Sequence, residues 1–141
     1  MRPKLIPLAM VVCDTVIQDV KTKKKSLIGI FSQINAGKIP VRHPQLSVFV
    51  VLTEGNGRYD CELRCLYDRD NRLVMKANGA IEFNNPQQIL ELVFDLNGPV
   101  FPEFGPYRFE FLAEGEPLIS RKLTVVETQA SAGQDEHRRE Q

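Results

Sequence analysis

The sequence is poor in the residues that catalytic and metal centres draw on. Of its 141 residues none is tryptophan, two are histidine and three are cysteine. So few histidines leave little for a nucleophile–base pair, and so few cysteines exclude a disulfide scaffold. No apolar run comes near the roughly 18–20 residues that cross a bilayer as a helix. Net charge is absent too, because 18 basic side chains balance 18 acidic ones. That balance argues against a dedicated nucleic-acid binder, although a local patch survives the argument. What is present, 43% hydrophobic and 26% charged residues, is a globular composition, not a disordered one. The length fits one domain that holds a core without staples.

The neutral total hides a split. Residues 1–58 carry nine Lys/Arg against three Asp/Glu, and residues 59–141 carry nine against fifteen. Such a split marks either an anion-binding face or two halves that complement each other when folded. At the N-terminus, Arg2 and Lys4 precede an apolar stretch and Cys13, an order that imitates a lipoprotein signal. The stretch is broken by Pro7, and Val12 stands before Cys13 where cleavage wants a small residue. A buried first strand is expected instead, in a cytoplasmic protein with reduced cysteines. Residues 128–141 contain no aliphatic side chain larger than alanine. They are expected to form a flexible tail behind a domain of residues 1–127.

Within the domain the hydrophobic period is two. Tyr59, Cys61, Leu63, Cys65 and Tyr67 alternate with Asp60, Glu62 and Arg64, which predicts a strand with one buried face. Asp68, Asp70 and Asn71 supply turn chemistry, and residues 73–83 return as the hairpin partner. Leu90, Leu92, Phe94 and Leu96 alternate in the same way, as do Tyr107, Phe109 and Phe111. Residues 5–13, 27–34 and 46–52 are apolar at both parities, so they need cover on both faces. A subunit interface, a helix or the centre of a tight sandwich would each provide it. The only helix candidates are short, residues 14–19 and 86–90, and the second reads better as the approach to a strand. About seven or eight strands with turns between them indicate an all-β antiparallel sandwich.

Gly105-Pro-Tyr-Arg-Phe-Glu-Phe and the run to Val125 are similar to the closing hairpin of immunoglobulin-like sandwiches. Val11-Val-Cys-Asp14, Ser26-Leu-Ile-Gly-Ile-Phe31 and His43-Pro-x-Leu46 resemble a family of small uncharacterised bacterial proteins with one sandwich domain. The resemblance spans about residues 5–126. It implies a fold and a bacterial origin, carries no catalytic motif, and transfers no functional residue.

Catalytic chemistry finds little support. His43 lies before Pro44 in a loop and His137 in the tail, with no G-x-S-x-G segment. On one strand, Cys61 and Cys65 stand about 13 Å apart, beyond disulfide or zinc reach. Asp68, Asp70 and Asn71, with Glu54, Asn56 and Asp60, carry the oxygens of a calcium site, but they are also ordinary hairpin composition. No metal, cofactor or enzymatic activity is expected.

Two binding features remain. Lys21, Lys23, Lys24 and Lys25 put four lysines within five residues. They form either a solvated tip that discourages edge aggregation or an electrostatic contact for phosphate, acidic lipid or acidic protein. Phe101 and Phe104 sit in a stiff, proline-rich loop, either as anchors for a partner or as a plug for the sandwich end. The expected function is a non-enzymatic interaction module that associates with itself or another protein through apolar strand faces. The alternative is a sandwich that binds a small anionic ligand through the lysine loop.

Overall fold

A computed structural model describes residues 4–129. Arg2, His137 and the expected tail beyond residue 129 lie outside the described residues. Eleven strands follow one another: β1 (Ile6–Gln18), β2 (Lys25–Ile30), β3 (Gln33–Ala36), β4 (Val41–Arg42), β5 (Gln45–Thr53), β6 (Gly57–Tyr67), β7 (Arg72–Phe83), β8 (Leu90–Asn97), β9 (Val100–Phe101), β10 (Gly105–Ala113) and β11 (Glu116–Glu127). No helix forms among the described residues. The short helix candidate over residues 14–19 is instead the end of β1, paired with β2 from Thr15↔Ile28 to Gln18↔Lys25. The β-branched Thr15, Val16 and Ile17 favour that extended backbone. Residues 86–90 lead into β8, as their strand reading expects.

The strands form a four-stranded sheet, β2-β1-β5-β8, a five-stranded sheet, β3-β11-β10-β6-β7, and a small β4-β9 pair. The two large sheets enclose one core, the arrangement of a sandwich. Alternate side chains supply it: Leu46, Val48, Val50 and Leu52 from β5, Leu63 and Cys65 from β6, Phe109 and Phe111 from β10. Burying one face of each strand is what the period of two encodes.

The single strand expected over residues 27–34 is two, because the chain changes sheets there. Phe31 N–H donates to Val12 C=O in the first sheet, and Thr124 N–H donates to Ser32 C=O in the second. Beyond that point β3 runs parallel to β11, with Gln33 opposite Thr124. The crossing closes one side of the sandwich.

Tyr107 fixes the loop that leads into β10. Its hydroxyl donates to Glu103 C=O at 2.7 Å and accepts from Glu103 N–H at 2.9 Å. Its ring meets Tyr67 and Phe101 edge-on, at 5.0 and 5.1 Å. Cys13, Cys61 and Cys65 are buried free thiols. Burial pushes the Cys61 thiol to about 11 and Cys65 to about 12, from an ordinary 9.0.

Two outcomes follow from these packings. Tyr107→Phe leaves both Glu103 backbone groups without their partner and should cost about 1–3 kcal/mol, read as a lower urea midpoint with unchanged slope. The thiols stay protonated in the fold while the unfolded chain loses their protons near pH 9. Their contribution is therefore complete below pH 9 and is lost as pH rises towards 11 and 12. The melting temperature of wild type should fall through that window more steeply than that of Cys61→Ala; parallel curves would contradict the assignment.

Candidate functional site

The first hairpin does not run straight out of its sheet. Cys13 of β1 stands opposite Ser47 of β5, which stands opposite Asp95 of β8. Gln18 and Lys25 lie further along the hairpin in that same direction. A straight hairpin would carry Lys25 away from Glu91, four residues back along β8, about 13 Å at strand rise. Yet Lys25 Nζ is 2.9 Å from Glu91 Oε1. The hairpin therefore doubles back over the outer face of its own sheet. The bend falls at Asp14 and Gly29. Gly29 has φ +72°, and a Cβ there would lie 2.3 Å from Asp14 Oδ2, so the carboxylate occupies the space a side chain would need. Gln45 Nε2 donates to Asp14 C=O at 3.3 Å and ties the bend to β5.

This fold-back answers why residues 46–52 are apolar at both parities. Leu46, Val48, Val50 and Leu52 fill the core, while Ser47 is buried on the outer side and Phe49 and Val51 are half-buried there. Thr15 and Val16 of the hairpin share a small cleft with Gln45, Ser47 and Asp95. Part of the expected cover is thus the chain's own hairpin. The exposed apolar surface moves elsewhere: Ile6 and Leu8 on β1, and Ile17, Val20, Ile28 and Ile30 on the hairpin.

The hairpin turn is built by an aspartate. Asp19 accepts hydrogen bonds from Thr22 N–H and Lys21 N–H, each at 2.8 Å. Those two backbone donors hold its carboxyl below the usual carboxylate range. Lys23 takes the left-handed conformation, φ 65°, that closes the turn. Lys21, Lys23 and Lys24 are exposed, and none of them makes an ion pair among the described residues. Lys25 is different: it begins β2 and is held by Glu91. The sequence grouped four lysines, and the fold leaves three at the tip.

The aromatic loop does not join the lysines. It follows Asn97 at the far end of β8 from Glu91, about 20 Å away at strand rise. Phe101 is fully buried against Tyr107 and has no surface to offer a partner; its strand β9 pairs with β4 and plugs the end of the sandwich. This corrects the anchor reading of Phe101. Phe104 is half-buried against the core, and its carbonyl accepts from the Tyr67 hydroxyl at 2.8 Å.

Three sequence segments, 11–14, 26–31 and 43–46, meet beside the bend. Asp14, Gly29, Phe31 and His43 line a cleft of about 420 Å³ together with the amides of Gln33 and Asn35. The His43 ring packs at a tilt against Phe31, with ring centres 5.4 Å apart, and its backbone N–H donates to Pro99 C=O. The cleft can hydrogen-bond a ligand or a cation, and no hydroxyl or thiol lines it beside His43 among the described residues. Asp14 was invisible as a site residue because only the fold brings these segments together. The acidic turn after β6 is engaged structurally: Asp68 pairs with Arg108, and Asp70 accepts from Arg72 N–H. Among the described residues no cluster of His, Cys, Asp and Glu could hold a metal ion. No helix there is long and apolar enough to cross a membrane.

No curated protein matches this chain. Residues 8–126 match a family of unknown function, DUF6941, and the chain belongs to that family.

Proposed function

We propose that this member of the family is a non-enzymatic interaction module that self-associates through the apolar surface of β1, β2 and the turn between them. One observation carries the reading. Among the described residues ten large hydrophobic side chains are exposed, and six of them, Ile6, Leu8, Ile17, Val20, Ile28 and Ile30, lie on this one hairpin. Exposed apolar side chains concentrated on one hairpin point to a contact more than single residues scattered over the surface do. The chain's net charge of zero adds no repulsion between copies.

A second reading rests on the turn itself. Lys21, Lys23 and Lys24 present concentrated positive charge for the phosphate of a small anionic ligand or a lipid headgroup. No aromatic side chain interleaves them, so nucleic-acid stacking is not part of this reading.

Two finer assignments accompany the proposal. The sandwich is read as immunoglobulin-like, supported by the Tyr107 hydroxyl bonded back to Glu103 just before the penultimate strand, a tyrosine corner. A reducing, cytoplasmic setting is supported by three free cysteines.

Light scattering across a concentration series tests self-association: the mass should rise to twice that of the chain or more, and a single-chain mass up to high micromolar concentration rules it out. For the second reading, phosphate-bearing vesicles should bind wild type, release it as salt rises, and fail to bind a Lys21→Glu, Lys23→Glu, Lys24→Glu variant. Binding insensitive to salt would exclude the electrostatic contact.

A further inference from the structure

The geometry points to a specific mode for that association: β2 pairs antiparallel with β2 of a second copy, about a two-fold axis at Leu27. This inference rests on the self-association proposed above and names its surface.

β2 is the outermost strand of its sheet and pairs only with β1 among the described residues. An unpaired edge is a template for another strand. Which of its backbone groups are free follows from the ladder. Asp19 N–H donates to Lys24 C=O at 2.9 Å, and the register from Gln18↔Lys25 to Thr15↔Ile28 is unbroken. In antiparallel pairing, bonded and non-bonded pairs alternate. Ser26 and Ile28 therefore bond inward to Ile17 and Thr15, while Lys25 and Leu27 turn their N–H and C=O to the free edge. A two-fold axis requires a residue that exchanges both bonds with its own copy. Leu27, midway between Lys25 and Gly29, meets that requirement. Ser26 then stands opposite Ile28 of the other copy, and Lys25 opposite Gly29.

The occupant is a second copy on grounds of charge as well as pattern. Antiparallel pairing carries each lysine turn towards the other copy's Gly29, the residue over which the Asp14 carboxylate lies. The exposed cations of one copy thus approach the Asp14 carboxylate of the other, twice. Parallel pairing would set the two lysine turns side by side. An unrelated extended peptide would satisfy the edge but supply neither match. The apolar residues also join: Ile17 adjoins Ser26 on its own hairpin, and Ser26 adjoins Ile28 of the partner, giving one strip across four strands.

The test uses the full chain. Ser26→Cys with Ile28→Cys should give a disulfide-linked dimer on oxidation, because a non-bonded antiparallel pair brings those positions within bridging distance. Ser26→Cys alone should not, and the native cysteines, at most 5% exposed, add little background. Leu27→Pro removes an outward N–H along with a half-buried side chain, breaks no bond to β1, and should halve the mass seen by light scattering while circular dichroism keeps its strand signal. A dimeric wild type whose double-cysteine variant fails to cross-link overturns this pairing. So does a Leu27→Pro chain that stays dimeric while Leu8→Lys becomes monomeric, an outcome that preserves association through the β1 face. A monomeric wild type overturns both readings.

Discussion

The arrangement depends on one crossing, where the peptide groups of Phe31 and Ser32 bond to different sheets. Each hydrogen bond contributes only about 0.5–1.5 kcal/mol net, but the pair decides geometry. It ends β2 after six residues and starts β3 against the last strand. It also anchors the base of the first hairpin at Val12, so the free part of that hairpin must go somewhere. A straight course would leave Val16 and Leu27 in water. The left-handed Gly29, with the Asp14 carboxylate against it, turns the hairpin back instead, and both side chains become half-buried. Bend, lysine tip, cleft and exposed apolar surface all descend from that choice.

How far this was legible depends on whether a residue's environment is set by near or distant chain. β6, β10 and β11 announce themselves because one face is buried and one is wet, so residues 59–65 alternate without exception, and only Leu66, at a bulge, breaks the pattern. The turn at Glu114 and Gly115 is equally local: both take positive φ, 52° and 80°, which suits an acidic residue followed by glycine poorly to strands and well to a hairpin. Residues 14–19 misled because polar ends at Asp14 and Asp19 frame a short segment, while its β-branched centre was the truer signal. The double-sided apolarity of β5 showed that a cover was needed but not that the chain supplied part of it. The lysine cluster was plain, yet the capture of Lys25 by Glu91 joins residues far apart in sequence. The Asp14–His43 cleft needs three segments at once and had no local signature.

The charge asymmetry of the two halves finds a modest structural use. Lys4 pairs with Glu116, Lys25 with Glu91 and Arg58 with Asp60, across the halves. The second half otherwise pairs within itself, Arg72 with Glu103 and Arg108 with Asp68 and Glu110. Exposed pairs of this kind contribute about 0–1 kcal/mol each, so complementarity between halves is not what holds the sandwich. It leaves the basic tip as the densest group of uncompensated charge among the described residues.

The parallel pairing of β3 with β11 also governs the order of events at the ribosome. Gln33 waits for Thr124, and at roughly 5–20 residues per second that wait lasts on the order of 5–20 s. Throughout it the first hairpin is already synthesised, while residues 33–36 have no strand to pair with. The second sheet is completed only when the last strand has emerged, so its closure belongs to the end of synthesis.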